Sequence, residues 1–399
     1  MKKLLKTGCS ILLALMLVLA GGSAVAEDQD ASKEWHELAK NAFVAKDYEA
    51  SLHYFTLLAD AGDMYSQYMV ASQYYLGEGT EQDYGKAAQY ALMSAEQGIT
   101  ASQSLLGYLY LNGQGVDQDD AKAAEYFQLA ADGGDAQAQF MISWMYDSGI
   151  GVEQDSAKAA HYCQLAADQG NPDAQTDLGV MYEDGRGVPQ SYETAAKYYR
   201  LAADQGNPDA QINLGVLYEG GKGVPQSYET AAEYYRLAAE QGHPVAQANL
   251  GVMYDDGRGV PQSYETAAEY YQLSADQGCA FGQACLAQLY EFGDGVEQSG
   301  EMSLKYYQLS ADQGDPMGQW GMGKAYQFGV GVDVDYEKAA AYYKLSADQE
   351  DPDGLECLGY LYLEGLGVEQ SQEKAIELYK LAAERGSEEA QQQLMMLGQ

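Results

Sequence analysis

One 36-residue unit recurs nine times between Met64 and Ser387, with no insertion and no deletion. Three consecutive copies show it: PDAQTDLGVMYEDGRGVPQSYETAAKYYRLAADQGN (172–207), PDAQINLGVLYEGGKGVPQSYETAAEYYRLAAEQGH (208–243) and PVAQANLGVMYDDGRGVPQSYETAAEYYQLSADQGC (244–279). A unit this short cannot bury a core of its own, so successive copies must stack and cover one another's apolar faces. The repeat therefore excludes a closed globule. It also moves the question of function from catalysis toward recognition over an extended surface.

Each copy reads as two helices. In copy 172–207, Asn171-Pro172-Asp173 is a helix start: a side-chain acceptor, proline at the first helical position and an acid in the first turn. Leu178, Val180, Met181 and Tyr182 supply apolar area before Asp184-Gly185-Arg186-Gly187 ends the helix, and Val188 reads as a loop residue tucked into the core. The second helix starts at Ser191. Its column across the copies is Asp83, Asp119, Asp155, Ser191, Ser227, Ser263, Ser299, Asp335 and Ser371, every one a good N-cap. Such a cap contributes about 1 kcal/mol relative to alanine. Two further columns never vary: tyrosine at Tyr74 and every 36th residue to Tyr362, and alanine at Ala95 and every 36th residue to Ala383. Large facing small lets helices approach and interdigitate, so packing explains much of the high tyrosine content.

The ends differ from the middle, as capping requires. Residues 1–26 read as a secretory leader: Lys2, Lys3 and Lys6, an apolar run from Ile11 to Ala20, then Ala24 and Ala26 before a cleavage that leaves Glu27 first. The apolar run is too short to make a good spanning helix. The expected product is a bacterial periplasmic or secreted protein with no membrane span in the mature chain. Residues 27–63 read as a capping helix pair around Trp35, Leu38, Tyr48, Leu52 and Tyr54, which turns at Ala45-Lys46-Asp47 without GxG and looks tetratricopeptide-like. Residues 64–387 are the nine repeats, and 388–399 begin a further first helix that covers the last of them.

Charge narrows the partners. With 60 acidic residues against 22 Lys and Arg, the net charge is −38, and removal of the leader makes it more negative. That excludes phosphate-driven nucleic-acid binding and disfavours unassisted docking on anionic lipid. It favours encounter with basic partners.

Nothing in the sequence assembles a catalytic or metal site. The four histidines, His36, His53, His161 and His243, share no helix face at ligand spacing. Acid pairs such as Asp119-Asp120 and Asp333-x-Asp335 lack the closing glutamate of a calcium loop. The GxG turns follow helices and lack the strand and lysine of a phosphate loop, and no serine or cysteine stands at recognisable spacing from a histidine base. No cofactor is implied. Four cysteines follow the leader. Cys279 and Cys285, six apart, can approach bonding distance, so a disulfide and two free thiols are both open readings. Cys163 and Cys357 read as free, buried thiols.

These columns resemble the Sel1-like repeat, a relative of the tetratricopeptide repeat. Copy 100–135 carries its pattern as Gln103, Leu106-Gly107, Tyr110, Gly113-Gln114-Gly115-Val116, Lys122-Ala123, Tyr126, Ala130-Ala131 and Gly134. Copies 280–315 and 316–351 depart from it: Ala287 replaces the Leu-Gly glycine and Glu350 the final glycine. The resemblance implies an all-α fold, a right-handed α-solenoid of antiparallel helix pairs. It also implies a non-catalytic adaptor for other proteins in envelope assembly, signalling or host contact. The alternative is a small-ligand binder or weak enzyme, such as a β-lactam- or cell-wall-fragment-binding protein. The secreted members associated with β-lactams carry a cysteine pair in each repeat, which this chain lacks.

In such stacks the first helices line the concave face, and positions beside the Leu-Gly-x-x-Tyr set face the groove. Those positions vary in chemistry here. Toward the N-terminus they are Tyr65, Tyr68, Tyr108, Phe140 and Trp144. In the middle they are Asp173, Glu183, Asp184, Asp209, Glu219, Asp255 and Asp256. Toward the C-terminus they are Phe281, Phe292, Trp320 and Phe328, with Lys324 among them. An acidic strip between aromatic clusters suits a protein or peptide partner with basic and apolar anchors.

Overall fold

The computed structural model describes residues 29–399, and the leader read in residues 1–26 lies outside them. Among the described residues there are twenty-one α-helices and no strand. The chain divides into two compact units at Ala202/Ala203. The first unit holds α1 (Gln29–Val44), α2 (Tyr48–Asp60), α3 (Met64–Leu76), α4 (Tyr84–Ala95), α5 (Thr100–Asn112), α6 (Asp120–Asp132), α7 (Ala136–Ser148), α8 (Ser156–Asp168), α9 (Pro172–Asp184) and nearly all of α10 (Tyr192–Ala203). The second holds α11 (Pro208–Gly220), α12 (Tyr228–Glu240), α13 (Pro244–Asp256), α14 (Tyr264–Asp276), α15 (Ala280–Phe292), α16 (Gly300–Ala311), α17 (Pro316–Phe328), α18 (Tyr336–Ala347), α19 (Pro352–Glu364), α20 (Gln372–Glu384) and α21 (Glu388–Met396). Each unit is an α-solenoid: helix pairs stacked in series, each pair covering the apolar face of the one before.

Local chemistry sets the helix ends. The capping column works throughout: Asp83 accepts from the Lys86 N–H at 3.0 Å, Asp335 from Lys338 at 3.0 Å, Ser263 from Thr266 at 3.2 Å. Pro172, Pro208, Pro244, Pro316 and Pro352 open first helices, where a missing N–H costs nothing. The first glycine of each GxG turn is the left-handed C-cap, as Gly257 is at φ 67°. The second glycine does more. A Cβ on Gly295 would sit 2.3 Å from the carbonyl carbon and oxygen of Tyr264, at the start of the preceding copy's second helix. The turn is thus a contact between copies as well as a helix stop.

The invariant tyrosines pack as expected. Eight of the nine stack on a tyrosine sixteen residues later, from Tyr74–Tyr90 to Tyr326–Tyr342, with centroids 5.7–6.3 Å apart and rings within 13° of parallel. Buried glutamines link the copies through hydrogen bonds. Gln247 Nε2 donates to the Ala239 carbonyl at 3.5 Å, and its Oε1 accepts from Gln277 Nε2 at 2.8 Å. Gln277 in turn caps the end of α14.

The departures at Ala287 and Glu350 are absorbed locally. Tyrosine rings usually lie on the Leu-Gly glycine: a Cβ on Gly251 would be 2.5 Å from the Tyr271 ring. Ala287 fills that place in its own copy, and the Tyr307 ring lies against Gly321 of the next copy, where a Cβ would be 2.2 Å away. Glu350 takes φ 61°, the left-handed conformation the final glycine holds elsewhere.

Candidate partner-binding surface

The last residue of each repeat's first helix is exposed in every copy: Leu76, Asn112, Ser148, Asp184, Gly220, Asp256, Phe292, Phe328 and Glu364. Its chemistry changes from copy to copy while the glycine after it and the tyrosine two residues before it never vary. Phe292 is 54% and Phe328 64% exposed, although burying either ring would be favourable by about 2 kcal/mol.

One residue earlier the column turns inward. The Tyr199 hydroxyl donates to Glu183 Oε2 at 2.8 Å, Tyr235 to Glu219 Oε2 at 2.9 Å, and Tyr271 to Asp255 Oδ2 at 3.2 Å. Tyr307 continues the row to Glu291 at 3.1 Å, and Tyr343 donates to the Gln327 amide oxygen at 2.6 Å. All five phenol rings are essentially buried. Burial, reinforced by the neighbouring carboxylates, pushes the Tyr199, Tyr235, Tyr271 and Tyr307 hydroxyls far above the ordinary phenol range. Burial also raises the Asp255 carboxyl. Glu183, Glu219 and Asp255, expected as groove acids, thus serve first as acceptors for the core.

The exposed acids are paired too. Arg186 Nη1 reaches Asp147 at 2.6 Å and its Nε reaches Asp184 at 3.2 Å. Arg258 repeats the arrangement with Glu219 at 2.9 Å and Asp256 at 2.6 Å. Each arginine is the middle residue of a GxG turn and bridges back to the preceding copy. The sequence reading missed these cations, although the GRG triplet one copy after an acid is a readable signal. Asp209 pairs with His243 at 3.2 Å, and Asp173 stands half-buried in the first turn of α9.

The aromatic candidates divide. In the first unit Tyr68 is 5% exposed and belongs to the core with Phe55, Leu58 and Met69, so it presents no surface. It sits two residues before the Leu-Gly-x-x-Tyr positions, where a large ring is drawn into the core. Burial raises its phenol to about 12. Tyr108 lies edge-on to Phe127 at 4.9 Å and accepts from Gln137 at 3.2 Å. Phe140 and Trp144 pack half-buried against adjoining core clusters, and Tyr65 is half-exposed. In the second unit Lys324 joins three expected residues. Its Nζ lies 4.9 Å from both the Trp320 and Phe292 rings and 2.8 Å from Glu291. Trp320, Lys324 and Phe328 line one cavity of about 340 Å³. Phe281 lies exposed at the start of α15, apart from that group.

Cys279 and Cys285 are separate, unlinked thiols, as are Cys163 and Cys357. Cys279 is the N-cap residue of α15, and Cys285 is buried in the core. Among the described residues, no helix is long and apolar enough to cross a membrane, and no group of three or more His, Cys, Asp or Glu is placed to hold a metal ion.

A repeating pair of capped helices, a GxG contact between copies and a variable exposed column define a solenoid interaction module. The family model for the Sel1 repeat matches ten segments: 41–63, 65–99, 100–135, 136–171, 172–207, 208–243, 244–279, 280–315, 316–351 and 358–387. The chain belongs to the Sel1 repeat family. The match at 41–63 extends it into the pair expected to be tetratricopeptide-like. Among solved structures, the chain is similar to c5321, a protective antigen present in uropathogenic Escherichia coli strains and displaying an SLR fold. Identity is 32% over 96% of this chain and 81% of that one, with a TM-score of 0.77. It is also similar to a Sel1 repeat protein from Oxalobacter formigenes, at 34% identity over 77% of this chain and 89% of that one, with a TM-score of 0.55. No curated protein matches the chain.

Proposed function

We propose that this protein is an exported, non-catalytic scaffold that binds partner proteins or peptides on the first-helix face of its repeats. The observation that carries the reading is the exposed column from Leu76 to Glu364, whose members change chemistry while the surrounding framework repeats. Framework positions are fixed by packing. A column free of that constraint and carrying exposed phenylalanines is what a recognition surface needs. Membership of a family built for protein contact supports the same reading. Export rests on the basic, apolar and small-residue order of residues 1–26, with Glu27 as the expected first residue. The similar E. coli protein is a protective antigen, which suits a protein that works outside the cytoplasm.

The partner carries apolar anchors for Phe281 and Phe292 together with basic groups for the acids that outnumber the available arginines. Photo-crosslinking in the native envelope fraction tests this. Phe281→Ser, Phe292→Ser and Trp144→Ala should each reduce capture of one stoichiometric partner with helix content unchanged. Undiminished capture by all three variants would remove the surface from consideration. Hydrolysis of a chromogenic β-lactam or saturable penicillin labelling would favour a small-ligand function instead.

A further inference from the structure

The tyrosine–acceptor row that runs from Tyr199 to Tyr343 breaks at the last repeat. Tyr379 keeps the tyrosine, but the acceptor position sixteen residues earlier holds Leu363. Tyr379 is 1% exposed, and its hydroxyl is buried with no hydrogen-bond partner. Tyr379 is among the residues that line a cavity of about 340 Å³ formed by α17, α18, α19, α20 and α21. A second buried donor in the same wall, Trp320 Nε1, meets only the weakly accepting sulfur of Cys357. Gln327, also in the lining, accepts from Tyr343 through its amide oxygen. Two buried donors that lack a strong acceptor therefore stand in the wall of one space. Buried donors left unmet are costly, and a ligand bringing acceptors would relieve them.

Charge selects the kind of acceptor. The nearby cation, Lys324, is already held by Glu291 at 2.8 Å and by two aromatic faces, so it offers little to an anion. Glu356 lines the cavity and accepts a hydrogen bond from the Ser387 hydroxyl at 2.8 Å. Asp353 and Glu389 lie within its field, and burial together with that repulsion raises both Glu356 and Asp353. An anionic ligand would add to the repulsion, whereas a cation would remove it. Neutral carbonyls beside a positive side chain match both sets of groups. The aromatic walls of Trp320, Phe328 and Tyr360 suit an apolar neighbour in the same ligand. The volume lies near the lower end of small-ligand pockets, roughly 300–1,000 Å³, and accommodates one large side chain with its flanking peptide units.

We propose that the Trp320–Tyr379 cavity seats a lysine- or arginine-bearing peptide segment, with Trp320 Nε1 and the Tyr379 hydroxyl donating to its main-chain carbonyls and Glu356 facing its cation. This assignment rests on the protein-binding reading above and gives it a specific pocket and ligand chemistry.

Calorimetric titration of the full chain with a blocked hexapeptide of alternating leucine and lysine tests it, beside the same peptide with glutamate replacing lysine. The lysine peptide should bind with one-to-one stoichiometry and the glutamate peptide at least about tenfold more weakly. Tyr379→Phe and Trp320→Phe should each weaken binding about three- to tenfold, the range for one lost hydrogen bond. Glu356→Gln should weaken it and flatten its salt dependence. Tyr379→Phe removes a single unpaired oxygen, so it keeps the test valid even if Trp320→Phe disturbs the fold. Equal affinity for the two peptides, unchanged affinity in the Tyr379 and Trp320 variants, or no binding by the wild type would each overturn the assignment. Those results would leave partner capture through Phe281 and Trp144 untouched. Conversely, peptide binding here with undiminished capture by the Phe281 and Trp144 variants would retire the wider surface and keep the cavity.

Discussion

Tyr235 donates its phenolic hydrogen to Glu219 at 2.9 Å, and the other oxygen of the same carboxylate receives Arg258 from the next copy at 2.9 Å. A core ring, a half-buried acid and a turn cation thus form one chain across two repeats. Tyr235→Phe should cost about 1–3 kcal/mol, because it leaves a partly buried carboxylate short of a donor. Tyr379→Phe should cost nothing or stabilise slightly, since its hydroxyl has no partner to lose. Hydrogen exchange of α12 and α20 amides reads both effects locally. Equal losses at the two sites would show that the acceptor row contributes nothing.

Two positive-φ glycines separate conformational strain from contact. Gly278 has φ 82° and open space where a Cβ would point, whereas Gly295 has φ 68° and would place a Cβ 2.3 Å from the Tyr264 carbonyl. Gly278→Ala should therefore cost about 1–2 kcal/mol from backbone strain alone. Gly295→Ala carries the same strain plus separation of two copies, so it should cost clearly more. Urea midpoints compare them, and indistinguishable values would deny the turn its contact role.

His36 and Asp63 form a pH-sensitive contact at 3.6 Å in the N-terminal pair. The hydrogen bond to Asp63 raises the His36 imidazolium above its ordinary 6.5, against a lowering by burial. For a raised base, the added stability is fully present below pH 6.5 and is lost as pH climbs through the folded-state value. Protection of α1 and α2 amides should therefore be greater at pH 6 than at pH 8. In Asp63→Asn the His36 titration, followed by NMR, should move down. A His36 midpoint at or below 6.5 in the wild type would contradict this.

The thiols should differ sharply in reactivity. Burial pushes Cys163 up to about 12, and its Sγ–H donates to the Ala174 carbonyl at 3.2 Å. Cys285 is buried beside Tyr271 and raised further. Alkylation of the folded protein should label Cys279 first and Cys163 and Cys285 only on unfolding. Unreactive Cys279 together with a mass two hydrogens short would instead establish the Cys279–Cys285 disulfide.

The fold was largely legible because each copy repeats its own punctuation. The Asp/Ser caps, prolines at helix starts and GxG stops fix the helix limits, and the invariant tyrosine column reports its packing role through period alone. The surface was less legible. Glu183 and Asp184 are adjacent and chemically alike, yet one turns toward Tyr199 and the other toward Arg186. That difference depends on a ring contributed by another helix, which spacing along one helix cannot show. Tyr68 was misplaced for the same reason: a tyrosine beside the core set can face either the groove or the preceding pair. The orphaned Tyr379 was readable in principle, as Leu363 interrupts an otherwise polar run from Glu183 to Gln327. Recognising it requires knowing that the two columns touch.

Gly295 on the Tyr264 carbonyl and Gln247 on the Ala239 carbonyl are joints of a kind that recurs between successive copies. A whole copy such as 244–279 can therefore be excised or duplicated in the gene, and the new junction would meet the same partners as the old one. The final repeat is not interchangeable in this way, because moving it inward would bury the Leu363 gap in mid-array. Selection can thus lengthen or shorten this protein in steps of one cassette while its terminal pocket stays where it is.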